Sequence, residues 1–332
     1  MGEVRKGAKC HVCRMTDQRE AVGGPSGRGM TETDFRALLA RLRAQASWGG
    51  ADTRGALNNI TPDRVMAALG EVKLGRSVSL ASPIEHEPAA DNPHPSSHKM
   101  TRVASDAPEH GLSFAMDQIS MNIHGDADTH IDALCHVIYD GELYNQRPAE
   151  AVTKRGAGEL SISVAASGIA GRGVLLDIPR ARGVPWLEPG EHVTADDIEA
   201  AEKDQQVQLG QGDLALVRVG HTLRRAQRGP WDVASARAGL HPASLEYLAD
   251  RKIGLLGSDG NNDTAPSMVQ GVDFPVHVLA IVGLGLHLID YLDLTALAAI
   301  CAEMKKWSFL CVIAPLRLQM ATGSPVNPIA LV

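Results

Sequence analysis

The sequence predicts a mixed α/β protein in which helices flank a mixed sheet. In some segments apolar residues recur at helical spacing, as between Phe35 and Leu42. Other segments are short apolar runs typical of buried strands, as in 173–177 and 212–219. The two kinds of segment interleave without strict alternation over 332 residues. This pattern favours a mixed α/β domain over a barrel.

Local signals set the bounds of the predicted elements. Thr31 and Thr61 are typical of residues that begin a helix, and Pro62 suits a first helical position. The predicted helices are 35–45, 62–71, 198–203, 242–250 and 295–305. The predicted strands are 77–80, 173–177, 212–219, 253–257 and 309–313. Residues 86–98 hold three prolines and three histidines, which predicts a surface loop, and such a loop is a candidate lid over a site.

We expect residues 1–30 to be a disordered leader and 31–332 to form one domain. The leader holds a lone Cys10 and Cys13 pair, which is weak evidence for zinc, and it lacks the apolar stretch of a secretory signal. The net charge of -7 argues against a nucleic-acid binder, and no apolar run is long enough to span a membrane. Five scattered cysteines indicate a reducing cytoplasm rather than a disulfide framework.

The most informative segment is 124–136, which holds three histidines and three aspartates. Because strand side chains alternate, an extended conformation would place all six on one face. The six residues are His124, Asp126, Asp128, His130, Asp132 and His136. Imidazoles and carboxylates gathered on one face are typical ligands of a divalent metal ion. A solvated strand face more often carries Lys, Glu or Thr, so we interpret this segment as a metal site. Cys135 would then face away and pack in the core.

Two further polar residues, His277 and Asp290, lie in apolar surroundings. A buried aspartate is costly unless it is paired or bound to metal, so Asp290 is a candidate ligand. The alternative for Asp290 is to precede the cap of the next helix, a role that Asp293 fits better. The alternative for His277 is a hydrogen-bonded core histidine.

The chain resembles the cyclase/kynurenine formamidase-like family of metal-dependent hydrolases, which includes isatin hydrolases and related lactone and amide hydrolases. The signature is Thr-His-Ile-Asp-Ala-Leu-Cys-His at 129–136, preceded by His-Gly at 124–125. Further similar segments follow in the same order and extend the resemblance from about residue 46 to the end. They are 48–58, 257–259, 276–277, 288–292 and 323–328. The resemblance implies a swivelling β/β/α cyclase-like fold.

The resemblance also implies a zinc or manganese site with one or two ions. His130 and Asp132 match the ligands of the His-x-Asp core, and His277 and Asp290 match the downstream ligand positions. The family more often has Glu or Gln where this chain has Asp290, and a shorter carboxylate there bears on ligand distance and on the number of ions.

Two site assignments depend on alignment near the signature. If Asp126 and Ala127 are an insertion relative to the family, His124 matches the first ligand, and we prefer this alignment. Without the insertion, Asp126 occupies that ligand position. His136 matches the histidine that acts as general acid/base in the family. If it instead binds metal, that role is lost.

The reaction implied is metal-assisted hydrolysis of an amide, lactam or ester bond in a small molecule, with His136 transferring the proton. The alternative is a metal-dependent cyclase or dehydratase, a lyase, acting on a small carbonyl compound. Serine hydrolysis lacks support because Gly-x-Ser-x-Gly does not occur. The expected partners are a small-molecule substrate and further copies of the chain in a homodimer or homotetramer, with no nucleic acid or membrane. Candidates for an aromatic wall are Trp48, Tyr139, Tyr144 and Trp186.

Overall fold

A nine-stranded mixed sheet forms the central layer of the protein. The structure is a computed structural model that describes residues 29–46, 48–103 and 111–332. Its helices are α1 (Glu32–Gln45), α2 (Pro62–Ala68), α3 (Ile178–Arg182), α4 (Ala195–Gln205), α5 (His221–Arg228), α6 (Ser244–Asp250), α7 (Pro275–His277) and α8 (Thr295–Met304). A π-helical segment, Val278–Gly283, continues α7.

The strands include three short pairs outside the main sheet. They are β1 (Ser77–Ser79), β2 (Ser97–Arg102), β3 (Met116–Ser120), β4 (His130–Asp132), β5 (Val152–Thr153), β6 (Gly156–Ala157), β7 (Ile169–Asp177), β8 (His192–Val193), β9 (Leu214–Arg218), β10 (Gly239–Leu240), β11 (Leu255–Ser258), β12 (Leu288–Asp290), β13 (Ser308–Ile313), β14 (Gly323–Pro325) and β15 (Ile329–Leu331). The main sheet has the order β1-β15-β13-β7-β9-β11-β12-β4-β14.

The sheet has a parallel centre and antiparallel wings. Strands β7, β9, β11 and β12 pair in parallel, whereas β4 and β14 on one side and β13, β15 and β1 on the other pair antiparallel. Every residue of β9 and β11 is buried. Strands that are covered on both faces read as continuous apolar runs, which is why the sequence revealed them. The predicted mixed sheet with flanking helices is confirmed.

Helix caps explain why several helix starts were predictable. The Thr31 side chain accepts a hydrogen bond from the backbone N–H of Asp34 and caps α1. Thr194 and Asp197 form a reciprocal capping box at the start of α4. Residues 86–96 are irregular, as predicted, but β2 begins at Ser97 and contains His98.

One contiguous hydrophobic core extends from Phe35 in α1 to Val332. The backbone N–H of Met30 donates to the carbonyl of Met268 at 2.8 Å, so the described chain joins this body from its first residues. The Cys10 and Cys13 pair and residues 1–28 lie outside the described residues. The division into leader and single domain therefore stays a prediction. No helix in the described part of the chain is both long and apolar enough to cross a membrane.

We expect Gly173→Ala to destabilise the protein by about 1–3 kcal/mol, because the added methyl overpacks the core. Gly173 on β7 pairs with Phe309 on β13, and a Cβ there would lie 2.3 Å from Cε2 of the Phe309 ring. The control is Gly171→Ala on the same strand, whose Cβ would meet no atom closer than 3.6 Å. That change should be neutral or stabilising by up to about 1 kcal/mol. Urea unfolding midpoints of the two variants test this, and equal midpoints would contradict it.

Candidate metal centre

Three buried polar side chains lie where the parallel strand β12 meets the antiparallel strand β4. His130 and Asp132 are two residues apart on β4, so their side chains project from the same face. Asp290 on β12 pairs directly with His130 across the strands. Directly opposed residues on neighbouring strands bring their side chains together on one face. All three are at most 3% exposed.

The predicted extended strand over 124–136 is wrong. Only His130–Asp132 is a strand there, and residues 123–128 form turns and bends apart from Gly125. Glycine and aspartate favour turns, which explains the break. His124 nonetheless reaches the site, with Nδ1 2.8 Å from Oδ1 of Asp132. His124 therefore lies beside Asp132, as the sequence predicted, but turns and not an extended strand place it there.

The turns direct the remaining two aspartates elsewhere. Oδ1 of Asp126 accepts a hydrogen bond of 3.1 Å from the hydroxyl of Tyr291. Asp128 is buried, and burial raises the pKa of its carboxyl group above the usual range. Its backbone carbonyl lies 2.8 Å from Nδ1 of His130. That contact leaves Nε2 of His130 available to a ligand.

The His124 ring occupies space that a glycine provides. A Cβ on Gly323 would lie 2.7 Å from Cε1 of His124, so a larger residue at this position would displace the ring. The hydroxyl of Thr322 lies 2.9 Å from Nε2 of His124. Both residues come from the far end of the chain. The sequence analysis assigned no role to Thr322, and it included Gly323 only as part of the family-like tail.

His277 enters the site at the start of α7. The Asp263 carboxylate accepts hydrogen bonds from the backbone N–H groups of Val276 and His277, at 2.7 and 2.9 Å. It also lies 2.6 Å from Nδ1 of His277, which orients the ring. Nε2 of His277 then lies 3.4 Å from Oδ2 of Asp132 and 3.4 Å from Oδ2 of Asp290.

Two asparagines hold the Asp290 carboxylate. Nδ2 of Asn261 donates to Oδ2 at 2.8 Å, and the side-chain and backbone N–H groups of Asn262 donate to Oδ1 at 2.5 and 3.1 Å. The sequence analysis missed Asn261, Asn262 and Asp263 as site residues. The available signal was a run of three polar residues shortly after the buried strand β11.

These side chains form two overlapping groups of potential ligands, each with donor atoms within 4.8 Å of one another. The first is His124, His130 and Asp132, and the second is Asp132, His277 and Asp290. Asp132 belongs to both. Neither group includes Asp126 or His136, so the geometry favours His124 over Asp126 as the first ligand.

The residues present fit a divalent ion. Oδ2 of Asp132 is buried and makes no hydrogen bond in the described structure. Imidazole nitrogens and carboxylate oxygens are donors for both zinc and manganese. A buried carboxylate oxygen without a partner is costly, and a metal ion at this position would satisfy it.

The charges in the site favour a cation as well. Burial tends to raise the pKa of Asp132, but the neighbouring histidines, His124 foremost, hold that pKa well below its usual range. Burial tends to lower the pKa of His277, but Asp290, Asp132 and Asp263 together raise it well above its usual value. The raised pKa of His277 shows that the three carboxylates around its ring favour a positive charge there.

His136 lies beside the ligand groups without joining them. Its ring stacks on that of His124, with centroids 3.7 Å apart and planes 8° apart. Its Nε2 is 4.0 Å from Oδ1 of Asp132. Burial lowers the pKa of His136 to about 4, so its ring is neutral at physiological pH. A neutral imidazole can accept a proton.

A pocket of about 570 Å³ opens above these residues. Its apolar lining comes from two segments of the chain, Val137, Ile138 and Tyr139 in one and Val272, Phe274 and Val278 in the other. Tyr139 therefore lines the pocket as an aromatic candidate, and Phe274 was missed.

The other aromatic candidates lie elsewhere. Tyr144 is buried with its hydroxyl 2.9 Å from Asp52, Trp186 is buried, and Trp48 lines a separate cavity. Cys135 is 1% exposed and does not line the pocket, and burial raises its thiol pKa to about 11, so it packs as expected.

The expected loop lid does not line this pocket. Residues 86–98 are absent from its described lining, and Asp91 in that loop instead pairs with Arg225 of α5. The N–O distance in this pair is 2.5 Å. The lid interpretation is therefore not supported by the position of the loop.

Comparison with known proteins identifies the family. The model of the family described as "Putative cyclase" matches residues 77–262, and the chain belongs to this family. A comparison with curated proteins returns no match. A crystal structure described as a novel cyclase is 29% identical, with a TM-score of 0.78, and the match covers 89% of this chain and 99% of that one.

Two isatin hydrolases share the fold at lower identity. Isatin hydrolase A from Labrenzia aggregata, bound to benzyl benzoate, is 21% identical with a TM-score of 0.55, covering 81% of this chain and 98% of that one. Isatin hydrolase A from Ralstonia solanacearum is 20% identical with a TM-score of 0.56, covering 82% and 97%. The cyclase-like fold expected from the sequence is thus confirmed.

We expect Asp263→Asn to weaken metal binding by about 10- to 100-fold, because the change removes the charged partner that orients His277. Metal retained against a graded chelator, measured by elemental mass spectrometry, gives the affinity. The matched control is Asp126→Asn, which alters a pocket residue outside both ligand groups and should retain wild-type affinity. Loss of metal from the control alone would make Asp126 the ligand and contradict the geometry.

Proposed function

We propose that the chain is a metal-dependent hydrolase that cleaves an amide, lactam or ester bond of a small molecule. The observation that carries the proposal is the position of His136. It is a neutral imidazole on the pocket side of the two ligand groups, and it belongs to neither group. A proton-transfer group beside an ion site is what water-driven hydrolysis requires.

The ligands of the proposed ion are the five residues expected from the sequence, namely His124, His130, Asp132, His277 and Asp290. When bound, a divalent ion supplies an electrophile for the scissile carbonyl and lowers the pKa of a coordinated water towards ~7. Zinc and manganese both suit this donor set. The proposed ion is therefore zinc or manganese.

His136 performs the proton transfer in this proposal. Its ring accepts a proton from the attacking water and delivers it to the leaving nitrogen or oxygen, so the acyl bond breaks as a new carbon–oxygen bond forms. The stacked His124 ring restricts how far the His136 ring can turn. Phe274 and Tyr139, which both line the pocket, hold the body of the substrate.

We expect freshly purified protein to hold up to two equivalents of zinc or manganese, because Asp132 belongs to both ligand groups. Elemental mass spectrometry of the wild-type protein measures the ratio. One equivalent would indicate that a single group binds tightly. A protein that holds no metal and takes up none on dialysis would contradict the metal-dependent reaction.

We expect His136→Gln to retain the metal and lose about 100-fold or more in turnover, the usual contribution of general acid–base catalysis. The substrate panel contains a lactam such as isatin, a lactone, an N-formyl arylamine and an aryl ester. Turnover and metal content are measured on the same samples. Loss of metal with the substitution would instead make His136 a ligand.

The lyase alternative is separated by labelled water. Hydrolysis in heavy-oxygen water places one labelled oxygen in the acid product. A cyclase or dehydratase forms its product without that incorporation, and mass spectrometry of the product distinguishes the two reactions.

A further inference from the structure

The charged groups that face the pocket are unevenly distributed. No Lys or Arg is among the described residues that line the pocket. Three aspartates line it, namely Asp126, Asp273 and Asp290. Asp290 is buried at the floor, where the two asparagines satisfy it. Asp126 accepts a hydrogen bond from the hydroxyl of Tyr291. These two carboxylates are engaged within the protein.

Asp273 differs from the other two. It is exposed, directly precedes the wall residue Phe274, and has no hydrogen bond or ion pair within the described part of the chain. Asp273 therefore adds to the lining of the pocket an exposed negative charge that has no partner among the described residues. An exposed charge of this kind acts through screened Coulomb forces over several ångströms.

The guanidinium that packs on the Phe274 ring is not available to a ligand. The guanidinium of Arg237 lies 5.0 Å from the centroid of the Phe274 ring. It is 3% exposed, and it donates to the backbone carbonyls of Asp263 and Val233 at 3.0 Å each. Arg237 packs on the Phe274 ring and is not among the described residues that line the pocket.

Two large apolar side chains of the pocket lining are exposed. Phe274 is 46% exposed, and its ring meets His277 edge to face at 5.7 Å. Ile138, which also lines the pocket, is 49% exposed. Apolar and aromatic surface of this kind favours an apolar or aromatic ligand.

We propose that the pocket selects uncharged substrates with an apolar body, and that Asp273 is a specificity-determining residue that disfavours a carboxylate at the mouth. The inference rests on the proposed hydrolase function, since it concerns the substrate of that site. It also concerns the product. Hydrolysis adds water across the acyl bond and leaves an acid that ionises at neutral pH, and Asp273 promotes its departure by repulsion.

The test compares two substrates with the same reacting bond. One carries a distal carboxamide on its aromatic ring and the other a distal carboxylate. In wild-type, metal-loaded protein the carboxamide substrate should have the higher kcat/KM. Asp273→Asn should shift the ratio of the two values about three- to tenfold towards the carboxylate substrate, and Asp273→Lys should shift it further.

Two controls exclude general effects of charge or structure. Glu199→Gln removes one exposed negative charge on α4, outside the pocket, and should leave the ratio unchanged. High salt should reduce the wild-type discrimination, because it screens an exposed charge. A merely structural role of Asp273 would not respond to salt in this way. An unchanged ratio in Asp273→Asn would overturn the proposal.

A binding measurement separates this proposal from the proposed hydrolysis. Terephthalamide and its half-acid are titrated into wild-type and Asp273→Asn protein by calorimetry. The substitution should strengthen binding of the half-acid relative to the diamide by the same three- to tenfold factor. If no substrate is hydrolysed but this shift occurs, the hydrolase proposal fails and the charge selectivity stands. If hydrolysis occurs without the shift, the selectivity fails and the hydrolase stands.

Discussion

Buried negative charge around one imidazole is the constraint on which the site depends. Asp132, Asp263 and Asp290 are each at most 1% exposed, and each has a carboxylate oxygen within 3.4 Å of a His277 nitrogen. Buried carboxylates are costly unless donors or cations compensate them. Asparagine side chains and backbone N–H groups supply donors to two of them. Oδ2 of Asp132 is left without one, and this is where the donor set converges.

Much of the hydrophobic core and the candidate metal site lie in different parts of the sheet. The parallel centre of the sheet is apolar and buried on both faces, so it supplies much of the hydrophobic core. The candidate site lies at the edge of this centre, where β12 meets the antiparallel strand β4 and the short strands are joined by turns. Two candidate ligands are held by β4 and one by β12, while His277 is held by a helix start. Side chains on such elements are better constrained than side chains on free loops.

In the two proposals above, proton transfer and substrate selection are assigned to different residues that line the same pocket. His136 lies at the floor, stacked on a candidate ligand, and its neutrality follows from burial. The lining also includes apolar side chains such as Ile138 and Phe274 and the exposed charge of Asp273. A floor that attracts cations and a mouth that repels anions would guide an uncharged substrate in and its acidic product out.

The amino-acid pattern alone was sufficient for five of the eight helices that the structure describes, for three of the four parallel strands and for the clustering of histidines and aspartates before residue 137, but it did not reveal α3, α5, α7 or β12. Helical and strand periodicities and helix caps are local properties, and they predicted α1, α4, β9 and β11 near their observed bounds. Tertiary structure decided which side chains meet. His124 rather than Asp126 joins the donor set because turns before β4 place its ring against Thr322 and Gly323, about 200 residues away. Asp263 and Asn261 acquire their roles only when β12 and α7 pack beside them. Local periodicity reports the backbone of one segment, whereas convergence of polar side chains depends on long-range pairing that no single segment encodes.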